Sequence, residues 1–248
     1  MTRERLDKVL VDRRLAGSRE RARAMIMAGA VRVRDRVVDK AGTLVDADAE
    51  IAVTGGDLPY VSRGGVKLAG ALDGLGVEVA GRLVLDVGAS TGGFTDCVLQ
   101  RGARGVIAVD VGYGQLAWSL RQDPRVILIE RCNVRHLESE QLPARPDCAV
   151  VDASFISLTL VLPRVAALVA PGSVIVALVK PQFEVGKGQV GRGGVVRDPA
   201  LHGAAIARVR ACAVDLGSEV LGECPSPLLG PKGNREFFLA LRTSAASR

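Results

Sequence analysis

Six polar residues stand where apolar runs begin or end, and their types could do acid–base chemistry. Asp86, Asp110, Asp152 and Lys180 lie at the C-terminal ends of strand-like runs, Glu236 opens the last such run, and Lys67 falls near the start of an expected helix. In an open α/β sheet, ligands bind in the crevice at the C-terminal ends of the strands. Four such residues therefore share one rim. A final strand antiparallel to the others would begin at the same rim and deliver Glu236 there. A lysine beside a weakly acidic hydroxyl can stabilise developing alkoxide, or act as a base where burial and a cationic neighbour lower its pKa. Carboxylates would orient such lysines. The bland alternative for Lys67, Asp152, Lys180 and Glu236 is a pair of structural salt bridges.

The segment Asp86-Val87-Gly88-Ala89-Ser90-Thr91-Gly92-Gly93-Phe94 is the second chemical feature. Glycines let a backbone approach a ligand closely. The dinucleotide pattern G-x-G-x-x-G is not met. An acid followed by Gly-x-x-x-Gly resembles motif I of the S-adenosylmethionine-dependent methyltransferases. That resemblance implies that Asp86, Gly88, Ser90, Thr91, Gly92, Gly93 and Phe94 form a loop around the donor's amino acid portion and ribose. Asp110, twenty-four residues on, is placed to accept the two ribose hydroxyls, a role shared with NAD-binding folds. Asn133 would lie near the adenine, and Asp147 and Cys148 read as structural.

The elements that must position these residues alternate regularly. Apolar runs at Leu83 to Val87, Val106 to Val109, Val126 to Ile129, Ala149 to Val151 and Val174 to Val179 read as buried parallel strands. Helices are expected from Val66 to Leu75, from Phe94, around Leu116 to Arg121, from Leu158 to Val169, and from Pro199 to Leu216 after the Asp198 cap. The runs Ser218 to Gly222 and Glu236 to Leu241 have no helix between them and predict an antiparallel hairpin at one edge. The fold class expected is α/β: a Rossmann-like, mostly parallel, doubly wound sheet with an antiparallel final strand, preceded by a small α+β domain.

Charge separates that body from what precedes it. Of 248 residues, the first 40 carry twelve Lys/Arg against six acids, which accounts for the whole net charge of +6. Clustered cations bind phosphate backbones by releasing condensed counterions; the competing reading is a solvated helix face. Leu6, Val9, Leu10 and Leu15 recur at near-helical spacing. Ser18 would cap a second helix with Ala22, Met25 and Ile26 as its apolar stripe and Gly29 as its end. Val31 to Arg34 alternates, Asp35-Arg36 turns, and Val37-Val38 resumes. Arg5-Leu6-Asp7, Leu15 to Arg19, Ala22, Ile26 and Gly29 to Val33 resemble the S-four-like RNA-binding domain, although Asp35-Arg36 replaces its usual Asn-Gly turn. This implies binding of structured RNA by shape and backbone contact. Arg5, Arg19, Arg21, Arg23 and Arg32 are the candidate phosphate ligands, joined by Arg63 and by Lys187 and Arg192 of the glycine-rich loop Gly186 to Gly194. That loop lacks a P-loop pattern and reads as a lid or as a mobile surface loop. Residues 1–57 form the basic domain, 58–64 a linker and 65–248 the methyltransferase-like domain.

The order Lys67, Asp152, Lys180, Glu236 resembles the Lys-Asp-Lys-Glu tetrad of FtsJ-like RNA ribose 2′-O-methyltransferases. Ser62-Arg63-Gly64, Lys67-Leu68, Asp110 to Leu116, Asp152-x-Ser154-Phe155-Ile156-Ser157, Lys180-Pro181-Gln182-Phe183-Glu184 and Gly233-Asn234-x-Glu236 extend the likeness across nearly the whole chain to the TlyA family. Its members are described as hemolysins but act as rRNA cytidine 2′-O-methyltransferases. The resemblance implies S-adenosylmethionine as cofactor and ribosomal RNA in ribosomal subunits as partner. The short tail after Arg242 points to the subtype that modifies the large-subunit RNA alone, with the small-subunit RNA as the second candidate. Leu58-Pro59-Tyr60-Val61 departs from the Arg-Ala-Trp-Val of actinobacterial members, which bears on coupling between the domains.

Two rival readings are a Rossmann NAD-dependent oxidoreductase and a non-enzymatic RNA-binding or membrane-lytic protein. No obvious hydride-handling His or Tyr supports the first. For the second, no helix pattern has a large aromatic-aliphatic face, and the apolar runs fall far short of the ~20 residues of a membrane span. Met1 to Arg5 leads into charged sequence with no apolar signal core. Five scattered cysteines without a C-x-x-C pair, and two histidines, predict neither a disulfide framework nor a metal site. A reduced, cytoplasmic protein with no obligate protein partner is expected.

Overall fold

A strand that is apolar on both faces must be covered on both faces, and four of the five parallel strands meet that demand; the edge strand Val126–Ile129 leaves Ile127 exposed. The computed structural model describes residues 3–27, 29–34, 36–38, 40–53 and 59–245. In the N-terminal domain, β1 (Arg3–Arg5) leads into α1 (Leu6–Asp12), followed by α2 (Arg19–Met27), β2 (Val31–Val33), β3 (Arg36–Val37), β4 (Leu44–Asp46) and β5 (Ile51–Val53). β1 pairs antiparallel with β4, and β2 lies between β3 and β5. Leu6, Val9, Leu10, Ala22, Ile26, Val31 and Val45 make its small core.

In the larger domain α3 (Arg63–Leu75) precedes β6 (Leu83–Val87), α4 (Gly93–Gln100), β7 (Gly105–Val109), α5 (Trp118–Arg121) and β8 (Val126–Ile129). There follow β9 (Cys148–Val151), α6 (Leu162–Leu168), β10 (Val174–Val179), α7 (Pro181–Glu184), α8 (Pro199–Asp215), β11 (Glu219–Pro225) and β12 (Phe237–Arg242). The sheet order is β11-β12-β10-β9-β6-β7-β8, parallel from β8 to β10 and antiparallel at β12 and β11. Alternate strand residues serve the two faces. Val84, Val106, Val150 and Val176 pack under Leu68, Leu72, Val98 and Leu120 of α3, α4 and α5. Leu85, Ile107, Ala149 and Ile175 pack under Leu162, Val165, Ala205 and Val209 of α6 and α8. The α/β class, the parallel order and the edge hairpin agree with expectation.

Several boundaries differ. α3 starts at Arg63, not Val66, because Ser62 is its N-cap and accepts a 3.3 Å hydrogen bond from the Gly64 amide. Gly64 and Gly65 are therefore inside a helix; a β-carbon on Gly65 would sit 2.3 Å from the Tyr60 ring. The expected helix from Leu158 to Val169 is split into a 3-10 turn, Leu158–Leu160, and α6. The expected helix from Leu116 shrinks to the four residues of α5. α1 ends at Asp12, so Leu15 lies beyond it on the surface and Ala16 is buried instead. The pair β1–β4 was not readable from three-residue strands. The turn residue Asp35 and the domain boundary at 57 and 58 lie outside the described residues.

Candidate active site and candidate RNA-binding arginines

The sheet register brings the tetrad together. Val179 of β10 pairs with Phe237 of β12, so Lys180, one residue beyond, and Glu236, one before, continue that pairing at the rim. On the other side β10 runs beside β9, and the Asp152 amide just past β9 donates to Val87 O at 2.9 Å. Lys180 Nζ lies 2.5 Å from Asp152 Oδ1 and donates to Ser154 Oγ at 2.7 Å. Lys67, reaching in from the first turns of α3, donates to Glu236 Oε2 at 2.6 Å. Lys67, Lys180 and Glu236 are all buried. Each buried cation thus has its own carboxylate, which is the arrangement that makes burial of such charges tolerable. Glu236 Oε1 has no hydrogen-bond partner among the described residues. Gly230 makes room for it, since a β-carbon there would lie 2.0 Å from that oxygen.

The glycine loop lies beside this rim. Gly88 has φ +84°, and a β-carbon on it would sit 2.5 Å from Asp152 O, so only glycine lets the loop pass so close to the end of β9. Asp110 accepts the Ser90 amide at 2.8 Å on one oxygen and the Gly112 amide at 2.6 Å on the other. It therefore ties the loop after β6 to the loop after β7, and each oxygen keeps a further lone pair for a ribose hydroxyl. Asp86 is fully buried. Thr95 donates to its Oδ2 at 2.6 Å, while Oδ1 has no hydrogen-bond partner among the described residues. Burial, opposed by the Thr95 hydrogen bond, pushes the Asp86 carboxyl up to about 7. Beside Asp110, a cavity of about 590 Å³ opens between Ile129, Arg131, Cys132, Asn133, His136, Leu137 and Gln141. Asn133 itself caps a 3-10 turn by accepting from the Arg135 amide at 3.2 Å. Phe94 lies in the core against Phe238, beneath the loop, and Gly93 lets α3 approach, with Ser62 Oγ 2.2 Å from where its β-carbon would stand. The buried, unpartnered Asp86 oxygen and the doubly tethered Asp110 suit a ligand that offers an ammonium group and vicinal hydroxyls, as S-adenosylmethionine does.

The sequence drew no role from two residues beside Lys180. Phe155 is 91% exposed with φ +63°, a left-handed conformation that bulky residues rarely adopt, and its ring lies 5.1 Å from that of Phe183. Glu184 is buried, accepts from Ser157 Oγ at 2.6 Å and from the Leu158 amide at 2.7 Å, and so fixes the loop that carries Ser154 and Phe155. Burial raises its pKa against those two hydrogen bonds. Neither signal exists in one dimension, because both depend on α7 folding back on the loop after β9.

The arginines expected at the RNA surface do not form one class. Arg5, Arg19 and Arg23 converge on the buried carboxylate of Asp7. Arg21 and Arg32 are half-buried on α2 and β2. Arg63 donates to Leu229 O at 3.1 Å, next to Gly230. Arg192 is exposed in the loop after α7, and the Lys187 side chain lies outside the described residues. Asn234 fastens that loop, donating to Gly194 O at 2.9 Å and accepting from the Val196 amide at 3.0 Å. The loop is thus hydrogen-bonded to the segment that delivers Glu236.

All five cysteines are free thiols. No helix among the described residues is long and apolar enough to cross a membrane.

Comparison with known proteins agrees with this geometry. Residues 60–243 match the FtsJ-like methyltransferase family and residues 4–51 the S4 domain. The chain is 52% identical over 242 residues to the 16S/23S rRNA (cytidine-2′-O)-methyltransferase TlyA of Mycobacterium tuberculosis (strain CDC 1551 / Oshkosh), covering 97% of this chain and 90% of that one. It is 38% identical over 236 residues to Hemolysin A of Brachyspira hyodysenteriae, covering 94% and 98%. A solved Streptococcus thermophilus structure described as a hemolysin superposes with TM-score 0.77 at 44% identity, covering 98% of this chain and 90% of that one. An S4 domain joined to an FtsJ-like domain, with this identity along the whole length, places the chain in the TlyA family of FtsJ-like methyltransferases.

Proposed function

We propose that this chain transfers a methyl group from S-adenosylmethionine to the 2′-hydroxyl of a cytidine in ribosomal RNA. The observation that carries this reading is the pair of ion pairs around two buried lysines, Lys180–Asp152 and Lys67–Glu236, at one rim beside the glycine loop, where the β10–β12 register sets Lys180 next to Glu236. The same reaction is named for the M. tuberculosis relative.

The donor would lie along the glycine loop, with Asp110 on its ribose hydroxyls, Asp86 beneath its amino acid portion, and Asn133 at the cavity that would take the adenine. Its sulfonium supplies an already activated methyl group. The chain's task is then to present the ribose oxygen in line and to manage one proton. Lys180, as an ammonium, holds that oxygen and stabilises its growing negative charge, and the hydroxyl proton passes to the Asp152 carboxylate, directly or by way of Lys180 as it gives up a proton of its own to Asp152. Ser154 fixes the Lys180 ammonium from a second side. Lys67 and Glu236 close the opposite wall. Phe155, presented on a loop that Glu184 holds, offers a stacking face to an unstacked base. Arg5, Arg19, Arg21, Arg23, Arg32, Arg63, Lys187 and Arg192 would supply phosphate contacts that orient the RNA. The large-subunit RNA is the first candidate target and the small-subunit RNA the second. Residues 1–57 would form the RNA-binding unit, 58–64 the connection and 65–248 the catalytic unit, working in the cytoplasm.

Incubating isolated small and large ribosomal subunits with labelled methyl donor, then mapping the labelled ribose, tests this. One labelled cytidine 2′-oxygen is the expected result. Label on a base, or none on either subunit, would overturn it.

A further inference from the structure

The N-terminal domain contains a charge arrangement that its net charge does not explain. Asp7, in the first turn of α1, is wholly buried. Arg5 grips it with two bonds, Nε to Oδ1 at 3.0 Å and Nη2 to Oδ2 at 2.9 Å. Arg23 donates from Nε to Oδ2 at 3.1 Å, and Arg19 Nε lies 3.7 Å from the same oxygen. The three arginine side chains remain 45%, 53% and 54% exposed (Arg5, Arg23 and Arg19 respectively). Arg19 and Arg23 lie four apart on one face of α2, while Arg5 ends β1. Three guanidiniums from two elements would repel one another at this distance. One buried anion holds them together and uses only some of each guanidinium's five donors. The Arg5 hydrogen bond, ahead of the other partners and against burial, holds the Asp7 carboxyl far below its ordinary range, so it is ionised at neutral pH.

We infer that Asp7 is a positioning residue: it gathers Arg5, Arg19 and Arg23 into a preformed claw for an RNA phosphate, which the ribose methylation above then exploits. This rests on the RNA-binding reading of the basic domain and adds to it. A diffuse cationic patch and a positioned claw make opposite predictions for one substitution. Asp7→Asn removes a negative charge, so a diffuse patch would bind RNA as tightly or more tightly. A claw that has lost its centre would bind more weakly.

The test is affinity of the full-length protein for isolated large ribosomal subunits as a function of salt. Asp7→Asn should bind about tenfold more weakly at low salt. Its log K against log salt line should be shallower by about one, since roughly 0.7–0.9 is lost per phosphate contact. Val45→Ala, which opens the same small core without touching the carboxylate, should keep both the affinity and the slope. Arg5→Lys keeps the charge and is expected to fold, but a point charge cannot grip Asp7 with two bonds. It should weaken binding at least threefold, and this variant decides the matter if Asp7→Asn does not fold. Wild-type affinity and slope in folded Asp7→Asn, or in Arg5→Lys, would overturn the positioning role while leaving RNA binding intact. Absence of salt-dependent binding by the wild-type protein would instead remove the RNA-binding reading and this inference with it.

Discussion

At the sheet rim each buried cation has one carboxylate; in the basic domain three cations share one. Lys67 has Glu236 and Lys180 has Asp152, so the tetrad is charge-balanced and closely paired, with Asp152 alone partly open to solvent. Arg5, Arg19 and Arg23 leave their cluster two charges in excess around Asp7, half in solvent. Both regions are built from ion pairs, yet the balance suits different work. A balanced buried pair holds a charge still where a reaction needs it, and an excess at the surface attracts a polyanion. Sequence composition reports only the second kind, because balanced pairs cancel in any charge count.

Separating the regions should give the largest effect. Removing residues 1–57 is expected to abolish methylation of ribosomal subunits while leaving S-adenosylmethionine binding unchanged by calorimetry. Full activity of the remaining body would show the basic domain to be dispensable and end the division of labour.

Within the body, Asp110→Ala should weaken donor binding by roughly 10- to 100-fold. It strips the acceptor from the Ser90 and Gly112 amides and from the ribose, and each hydrogen bond to a charged acceptor is worth on the order of 1.5–3 kcal/mol. Unchanged affinity would remove Asp110 from the cofactor site.

A smaller effect should appear with pH. The Asp86 carboxyl lies at about 7 in the folded chain, well above an ordinary aspartate, because it is buried. The donor carries net positive charge, so its affinity should rise several-fold as pH increases through about 7 and Asp86 ionises. Stability runs the other way. Between about 4 and 7 the folded chain keeps a proton that the unfolded chain has released, so stability falls with rising pH across that window and levels off above it. Asp86→Asn should flatten both profiles; a pH-dependent affinity that survives in Asp86→Asn would assign the titration to another group.

The two regions also differ in how far the sequence exposed them. The parallel strands were legible because Leu83 to Leu85 and Val174 to Val179 are unbroken apolar runs, and the run ends marked Asp86, Asp110, Asp152 and Lys180 as one rim. Which lysine meets which carboxylate was not legible: Lys67 and Glu236 are 169 positions apart and meet only because α3 packs on the sheet face that carries Phe238 of β12. The start of α3 was hidden because Ser62-Arg63-Gly64 reads as the end of a linker, when Gly64 and Gly65 serve close packing against Phe94 and Tyr60. In the basic domain Arg5, Arg19 and Arg23 were visible as charges, but Asp7 was visible only as one acid among six and as part of the Arg5-Leu6-Asp7 string, since its burial depends on how α1 packs against α2. Phe155 escaped because its exposure follows from a left-handed backbone turn that residue type does not announce.

The most direct test sets the two regions against each other in one assay: single-turnover methyl transfer as a function of ribosomal-subunit concentration, with S-adenosylmethionine saturating. Lys180→Ala should lower the plateau rate by ~10²–10⁴-fold and leave the half-saturating concentration near wild type, with Lys180→Arg giving no rescue. The triple Arg5→Gln, Arg19→Gln, Arg23→Gln variant should raise the half-saturating concentration and keep the plateau. A folded Lys180→Ala protein that reaches the wild-type plateau, or a triple variant that loses plateau rate at unchanged half-saturation, would contradict the assignment of chemistry to the rim and RNA capture to the arginines.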